Sequence, residues 1–192
     1  MKNIFSILKL TLVLLCLLAV IYPLSIYGLA QFAPNQGKGE TLSVNGKVIG
    51  YQKIGQKFNQ SNYFWGRPSA VDYNAGASGG SNKGPANKEY LALVQKRIDT
   101  FLLIHPYLKK SEIPSDIVTA SGSGLDPNIS QQAALIQVKR IAKERNLAEA
   151  KVKALVESKI NKAIMGPETV NVLELNVALD ELSLKNTKVH TN

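Results

Sequence analysis

One run of residues limits this chain more than any other: across residues 10–30, 17 of 21 side chains are apolar and none is charged. As a helix, at about 1.5 Å of rise per residue, the run spans about 31 Å, the thickness of a bilayer's hydrocarbon core. Residues 31–192 are of mixed polarity and have the length of one ordinary domain. One apolar helix cannot enclose a pathway, so a polytopic transporter is excluded. A soluble cytosolic enzyme and a mostly disordered chain are excluded as well. The single cysteine, Cys16, lies inside the run, which rules out an intramolecular disulfide and any cysteine-based zinc site.

Charge sets the expected orientation. Lys2 and Lys9 precede the run, whereas Lys38 and Glu40 nearly cancel after it. Cytoplasmic flanks carry the excess of Lys and Arg, so residues 1–9 are expected in the cytoplasm, 10–30 across the membrane and the rest outside. Tyr22, Tyr27 and Phe32 lie toward the outer end, where amphipathic rings prefer the interface. The rival reading is a signal peptide cleaved after Gly28-Leu29-Ala30. Signal cores usually run 7–15 residues, which favours an uncleaved anchor here. Pro23 removes one backbone donor inside lipid, a cost that packing against neighbouring helices relieves. With no ionisable residue, the run offers no relay or ion site of its own.

Residues 31–40 read as a linker. Asn45-Gly46, flanked by alternating Leu42-Ser43-Val44 and Lys47-Val48-Ile49, predicts a two-residue hairpin, since both turn positions need φ > 0. Residues 59–87 lack a helical period and are dense in Gly, Ser, Asn and Pro: an ordered loop. Asn87 predicts a cap for a helix over 88–104, with Leu91, Val94, Ile98 and Phe101 inward. Ser130 predicts a cap for a helix over 131–145; further helices are expected over 148–163 and 171–182. Residues 116–119 are a candidate strand and 185–192 a frayed tail. The expected class is α+β: a single transmembrane helix, then one extracytoplasmic domain over 41–184 with a small antiparallel sheet and about four helices.

Candidate chemistry is sparse. His190 sits in the tail, so only His105 could serve a site. A hydrolase triad of Ser121 or Ser123 with His105 and Asp126 lacks any nucleophile-elbow context. A helix-end histidine, favourable near the negative end of the helix dipole, is the plainer reading. No carboxylate pairing suggests acid–base catalysis or a metal cage, so no catalytic or metal-ligating residue is expected. Residues 78–85 have a phosphate loop's composition but not its spacing. Ser121-Gly122-Ser123-Gly124-Leu125-Asp126 lies between the expected strand and helix. It reads either as an anion cradle or, as composition favours, as a turn whose serines bond back to the chain. Tyr63, Phe64 and Trp65 beside Arg67 read equally as an interface anchor and as a satellite core. Beyond the apolar run, 21 basic and 14 acidic residues give +7, spread thinly along the helices. Solvated faces, touching anionic headgroups, account for it better than nucleic acid.

Taken in order, these segments resemble a known family, the KdpC subunits of the bacterial high-affinity potassium-transporting P-type ATPase. The resemblance is carried by the apolar helix, Tyr63-Phe64-Trp65-Gly66-Arg67-Pro68-Ser69-Ala70, Ser78-Gly79-Gly80-Ser81-Asn82 and residues 119–130. It continues through Ala133-Ala134, Gln137-Val138, Arg140-Ile141-Ala142 and Asn171-Val172-Leu173-Glu174-Leu175-Asn176-Val177-Ala178-Leu179-Asp180. Asn128 departs from it, standing where many relatives carry histidine. The resemblance implies a non-catalytic membrane subunit beside a channel-like potassium-binding subunit and an ATP-hydrolysing subunit, needed for assembly and stability. The family is also described as a catalytic chaperone that raises the hydrolysing subunit's affinity for ATP. An outside location argues against firm ATP binding by this chain, with ATP reached only through the complex. Within this frame Ser121, Ser123, Gly124, Asp126, Gln137 and Arg140 are expected to contact nucleotide or partner. Pro23, Tyr63, Phe64, Trp65, Arg67, Asn82, Asn171 and Asn176 are expected to contact partners. A stand-alone anchored hydrolase or binding protein, and a secreted envelope domain, are the alternatives.

Overall fold

The computed structural model describes residues 2–163 and 165–189. The chain divides into two compact units, Met1–Glu40 and Thr41–Asn192.

The first unit is the apolar helix. Strand-free and exposed along its length, Asn3–Ala30 is long and apolar enough to cross a membrane. It is built of α1 (Lys2–Cys16) and α2 (Tyr22–Ala30), joined by a π-helical turn at Leu17–Ile21. There the Tyr22 N–H reaches back five residues to the Leu17 carbonyl. Proline has no N–H, and its ring crowds the preceding helical turn. A turn widened by one residue directly before Pro23 relieves that crowding. Ser25 Oγ donates to the Ile21 carbonyl at 2.8 Å, satisfying another group of the same turn.

The second unit starts with a hairpin, β1 (Thr41–Val44) and β2 (Lys47–Tyr51). Asn45 (φ 51°) and Gly46 (φ 77°) form its turn, as the dipeptide predicts. After the long loop, α3 (Lys88–Ile104) begins at Asn87, whose Oδ1 accepts the Tyr90 N–H at 2.9 Å. Then follow β3 (Asn128–Ser130), α4 (Gln131–Leu135), α5 (Val138–Glu144), α6 (Glu149–Ser158), β4 (Ile160–Asn161), β5 (Thr169–Asn171) and α7 (Val172–Val189). Strand β5 is central in a second antiparallel sheet of order β3-β5-β4, with Ile129 and Ile160 both facing Val170 in register. The core grows from this sheet: Ile129 and Val170 meet Ala133, Ile141, Val152, Leu175 and Leu179, all buried. Phe64 enters the same core from the long loop.

The α+β class holds, with two small sheets rather than one. Four local expectations are corrected. Residues 116–119 form no strand; Ser115–Ile117 is a 3₁₀ turn, from which Asp116 accepts the Ser130 N–H at 2.7 Å. The helix expected over 131–145 breaks between α4 and α5. Gln137 Nε2 takes the Ala133 carbonyl at 3.0 Å while its own N–H goes to Ala134, so a side chain replaces the regular i−4 bond. The helix expected to reach residue 163 stops at Ser158, because Ile160–Asn161 pairs with β5. Asn171 belongs to β5 and caps α7 from there, its Oδ1 accepting the Glu174 N–H. The helical backbone of α7 runs to Val189; His190 lies outside the described residues.

Candidate functional site

Two buried amides decide the shape of the aromatic loop. Phe64 and Trp65 have no strand beside them, yet their backbone polar groups are removed from water and need partners. Asn176, on α7, supplies both for Phe64: Oδ1 accepts its N–H at 2.9 Å and Nδ2 donates to its carbonyl at 3.0 Å. Gln137, at the break before α5, does the same for Trp65, accepting its N–H at 2.8 Å and donating to its carbonyl at 3.2 Å. Each amide thus stands in for one residue of a neighbouring strand.

Arg140 extends the clamp. Its Nη2 donates to the Tyr63 carbonyl at 3.0 Å and to Gln137 Oε1 at 2.8 Å, and its Nη1 to the Ser61 carbonyl. The guanidinium lies over the Trp65 ring, 5.1 Å from its centroid. No carboxylate pairs with it among the described residues. Burial lowers its pKa to about 10, which leaves it charged at neutral pH. Its Nε donates to His105 Nε2 at 2.8 Å. Arginine can only donate, so His105 Nε2 must carry a lone pair, and the proton sits on Nδ1, facing the Phe101 carbonyl at 2.8 Å. His105 is therefore neutral rather than a cation at the helix end. Burial, seconded by the Arg140 charge, holds its pKa down at about 4.

A second arginine, at the C-terminal end of α5, ties the loop to α7. Arg145 Nε donates to the Asn62 carbonyl at 2.7 Å, and Nη1 meets Asp180 Oδ1 at 2.6 Å. The Tyr63 hydroxyl donates to the other oxygen of Asp180, and Arg145 stacks over the Tyr63 ring. Neither Arg145, Asp180 nor His105 carries a motif that marks this role; only the fold brings them together.

The Gly/Ser turn is held differently, with its own backbone carbonyls and amides as the main partners. Gly79 N–H and Ser78 Oγ both donate to the Ser123 carbonyl, at 2.8 and 2.9 Å. Ser121 N–H donates to Pro68, Ser69 Oγ to Gly124, and Gly55 N–H to Leu125. Gly124 has φ +68°, and a Cβ there would stand 2.5 Å from Val71 Cγ2 and 2.7 Å from the Gly79 carbonyl. Asp126 pairs with Arg67 Nη1 at 3.1 Å and accepts the Asn128 N–H at 2.9 Å. Three donors on or near the turn serve the chain itself: Leu125 N–H on Ser123 Oγ, Ser130 N–H on Asp116, Ala133 N–H on Ser130 Oγ. Two carboxylates, those of Asp116 and Asp126, stand among these donors and oppose an anion's charge there.

The structure therefore parts the six residues expected on a nucleotide or partner. Ser121, Ser123, Gly124 and Asp126 form the docked turn; Gln137 and Arg140 form the buried clamp. No Ser-His-Asp triad is assembled, since both ring nitrogens of His105 are engaged elsewhere and Asp126 faces Arg67. Of the residues expected at partner surfaces, Phe64 and Asn176 are buried against one another. Tyr63, Trp65 and Arg67 are half-buried, and Asn82 is exposed. Asn171 Nδ2 donates to the Gln52 carbonyl at 2.7 Å, tying the end of the hairpin to β5. Pro23 lies in the membrane-length helix.

Comparison with known proteins finds matches that cover nearly the whole chain. The family model "KdpC: K+-transporting ATPase, c chain" matches residues 4–181. The chain is 81% identical over 182 residues to the potassium-transporting ATPase KdpC subunit of Flavobacterium johnsoniae, covering 95% of this chain and 100% of that one. It is 78% identical over 183 residues to the subunit of the same name from Flavobacterium psychrophilum, again across 95% and 100%. The subunit of Bacteroides thetaiotaomicron is 50% identical over 187 residues, 94% of this chain and 99% of its own.

Proposed function

The chain belongs to the KdpC family, the c chains of K+-transporting ATPases, and is thus a single-pass membrane subunit of a multi-subunit potassium transporter. On that premise we propose that its globular unit is a non-catalytic brace, exported to the outer side, that holds the complex together. Its companions are a channel-like potassium-binding subunit and an ATP-hydrolysing subunit. The orientation rests on Lys2 and Lys9 ahead of the apolar run and a nearly neutral flank after it.

One observation carries the bracing role. Among the described residues, four of the five buried polar side chains, Gln137, Asn176, Arg140 and His105, are engaged in fixing an aromatic loop. Such a loop presents Tyr63, Trp65 and Arg67 in one fixed arrangement, which lowers the ordering cost of docking. Asn82 and Asn171, and Pro23 in the anchor, are the further residues we assign to partner contact. Any effect on ATP affinity passes through the companions, because ATP is cytoplasmic and this unit is read as lying outside, with the Asp126 carboxylate at its Gly/Ser turn held by Arg67. Surface charge works by position rather than by attraction: a unit of +7 does not concentrate K+ by its average field.

Purification of the tagged full chain in mild detergent tests this reading. Two larger integral-membrane companions are expected in stable ratio. A monodisperse lone chain, under conditions that keep other membrane complexes intact, overturns it.

A further inference from the structure

One surface of the globular unit is engaged by nothing described so far. Between α3 and the loop over 57–73 runs a groove of about 390 Å³, the size that holds one large side chain and its neighbours. Its floor is apolar: Phe101 and Ile117 are buried there and Trp65 is half-buried. One wall is a single face of α3, since Leu93, Lys96, Arg97 and Thr100 follow the i, i+3, i+4, i+7 spacing. Leu93 remains 43% exposed at its lip.

The rim is strongly one-signed. Lys57, Arg67, Lys96 and Arg97 line it against a single carboxylate, Asp72, which Lys57 already holds at 2.7 Å. Lys96 has no ion-pair partner among the described residues, and Arg97 donates only to the Val118 carbonyl. The Arg67 Nε is buried and finds no acceptor among them either, although Asp126 takes its Nη1. A buried N–H without an acceptor is costly to leave so, and an incoming carboxylate would relieve it.

The opposite wall is held under strain. Asp72 and Tyr73 both adopt left-handed backbone conformations, at φ 51° and 60°. Such conformations are unfavourable for residues other than glycine, and collect where a site must be shaped. The Tyr73 hydroxyl is locked onto the Arg67 carbonyl, and Tyr73 N–H onto Ser69 Oγ, so the wall cannot relax cheaply.

We propose that this groove docks an acidic segment of a companion subunit. An aliphatic or aromatic side chain of that segment enters between Leu93 and Trp65, and flanking Asp or Glu residues meet Lys96, Arg97 and Arg67. The inference rests on the subunit reading above. A recessed apolar floor favours a side chain over a lipid headgroup, which needs only an open basic patch.

Photocrosslinking in the assembled complex tests it. A benzophenone amino acid replaces the exposed Leu93 of the full chain, and the companions are purified with it in mild detergent. The expected product joins position 93 to a companion peptide in which an apolar residue is flanked by Asp or Glu. Its yield should fall about fivefold in a Lys96→Glu background, and likewise in high salt, as charged rim contacts do. Companions that co-purify without any crosslink to position 93 overturn the groove while leaving the subunit reading intact. A crosslink mainly to anionic phospholipid, or to a basic or uncharged peptide, overturns it equally. Loss of the companions from the unmodified chain would instead bring down the subunit reading itself.

Discussion

The two supports of the long loop solve one problem by different means. Residues 61–65 are held by side chains, two amides and two arginines reaching in from α4–α5 and α7. Residues 66–80 rest on the backbone of the Gly/Ser turn, pressed against it so closely that a Cβ on Gly80 would lie 2.8 Å from the Gly122 carbonyl. The first support depends on what the residues present, the second on what they lack. Truncation should therefore break the one, and enlargement the other.

The largest effect is expected where a lost side chain leaves the most partners unsatisfied. Arg140→Met strands the Ser61 and Tyr63 carbonyls, and His105 Nε2 loses its donor. We expect destabilisation of about 4 kcal/mol, read by thermal or urea unfolding of the detergent-solubilised chain. A loss below about 1 kcal/mol would mean that water replaces the guanidinium and that the clamp is not a unit. Next comes the backbone support. Gly124→Ala must place a Cβ against Val71 and the Gly79 carbonyl at a positive φ, at a cost of about 3 kcal/mol. Retained stability there would show that the turn is free to back away from the loop.

Acid offers a separate handle on the first support, through His105. His105 has an ordinary value of 6.5 lowered to about 4 by burial. Between those values the unfolded chain binds the proton and the folded chain does not, so stability rises with pH across that window. The stabilising contribution is complete above about pH 6.5 and is lost as pH falls toward 4. His105→Gln should flatten the unfolding profile between those limits relative to the unsubstituted chain; parallel profiles would place the proton elsewhere. The smallest effect belongs to Asp126→Asn. It removes the charge facing Arg67 but keeps an oxygen for the Asn128 N–H, so about 1 kcal/mol or less is expected in the same unfolding assay.

What the sequence discloses follows the range of each interaction. The Asn45-Gly46 turn and the Asn87 and Ser130 caps are contacts within a few residues, and each stands as its local pattern predicts. Strands β3, β4 and β5 are two or three residues long, too short for an alternating pattern to register, and β3 pairs with β5 across 39–43 positions. The break at Gln137 is invisible to helical periodicity, because its cause is an amide turned toward Trp65, 72 residues away. The site shows the same division. Gln137, Arg140, Tyr63, Trp65 and Asn176 stand out by resemblance, but that they serve one another rather than an outside ligand is a long-range fact. Arg145 and Asp180 are two charged helix residues among many until the fold sets them on either side of Tyr63.

The widened turn at Leu17–Ile21 has a geometric consequence for the membrane helix. Each residue advances a regular helix by about 100°, so one extra residue in a single turn rotates everything after it by about that angle. Side chains at heptad spacing on either side of the turn therefore do not fall on one continuous stripe. The anchor offers one azimuth up to Cys16 and another from Tyr22 onward. A straight neighbouring helix that follows the first leaves the second free, and the helix can face two neighbours at two depths without bending toward either.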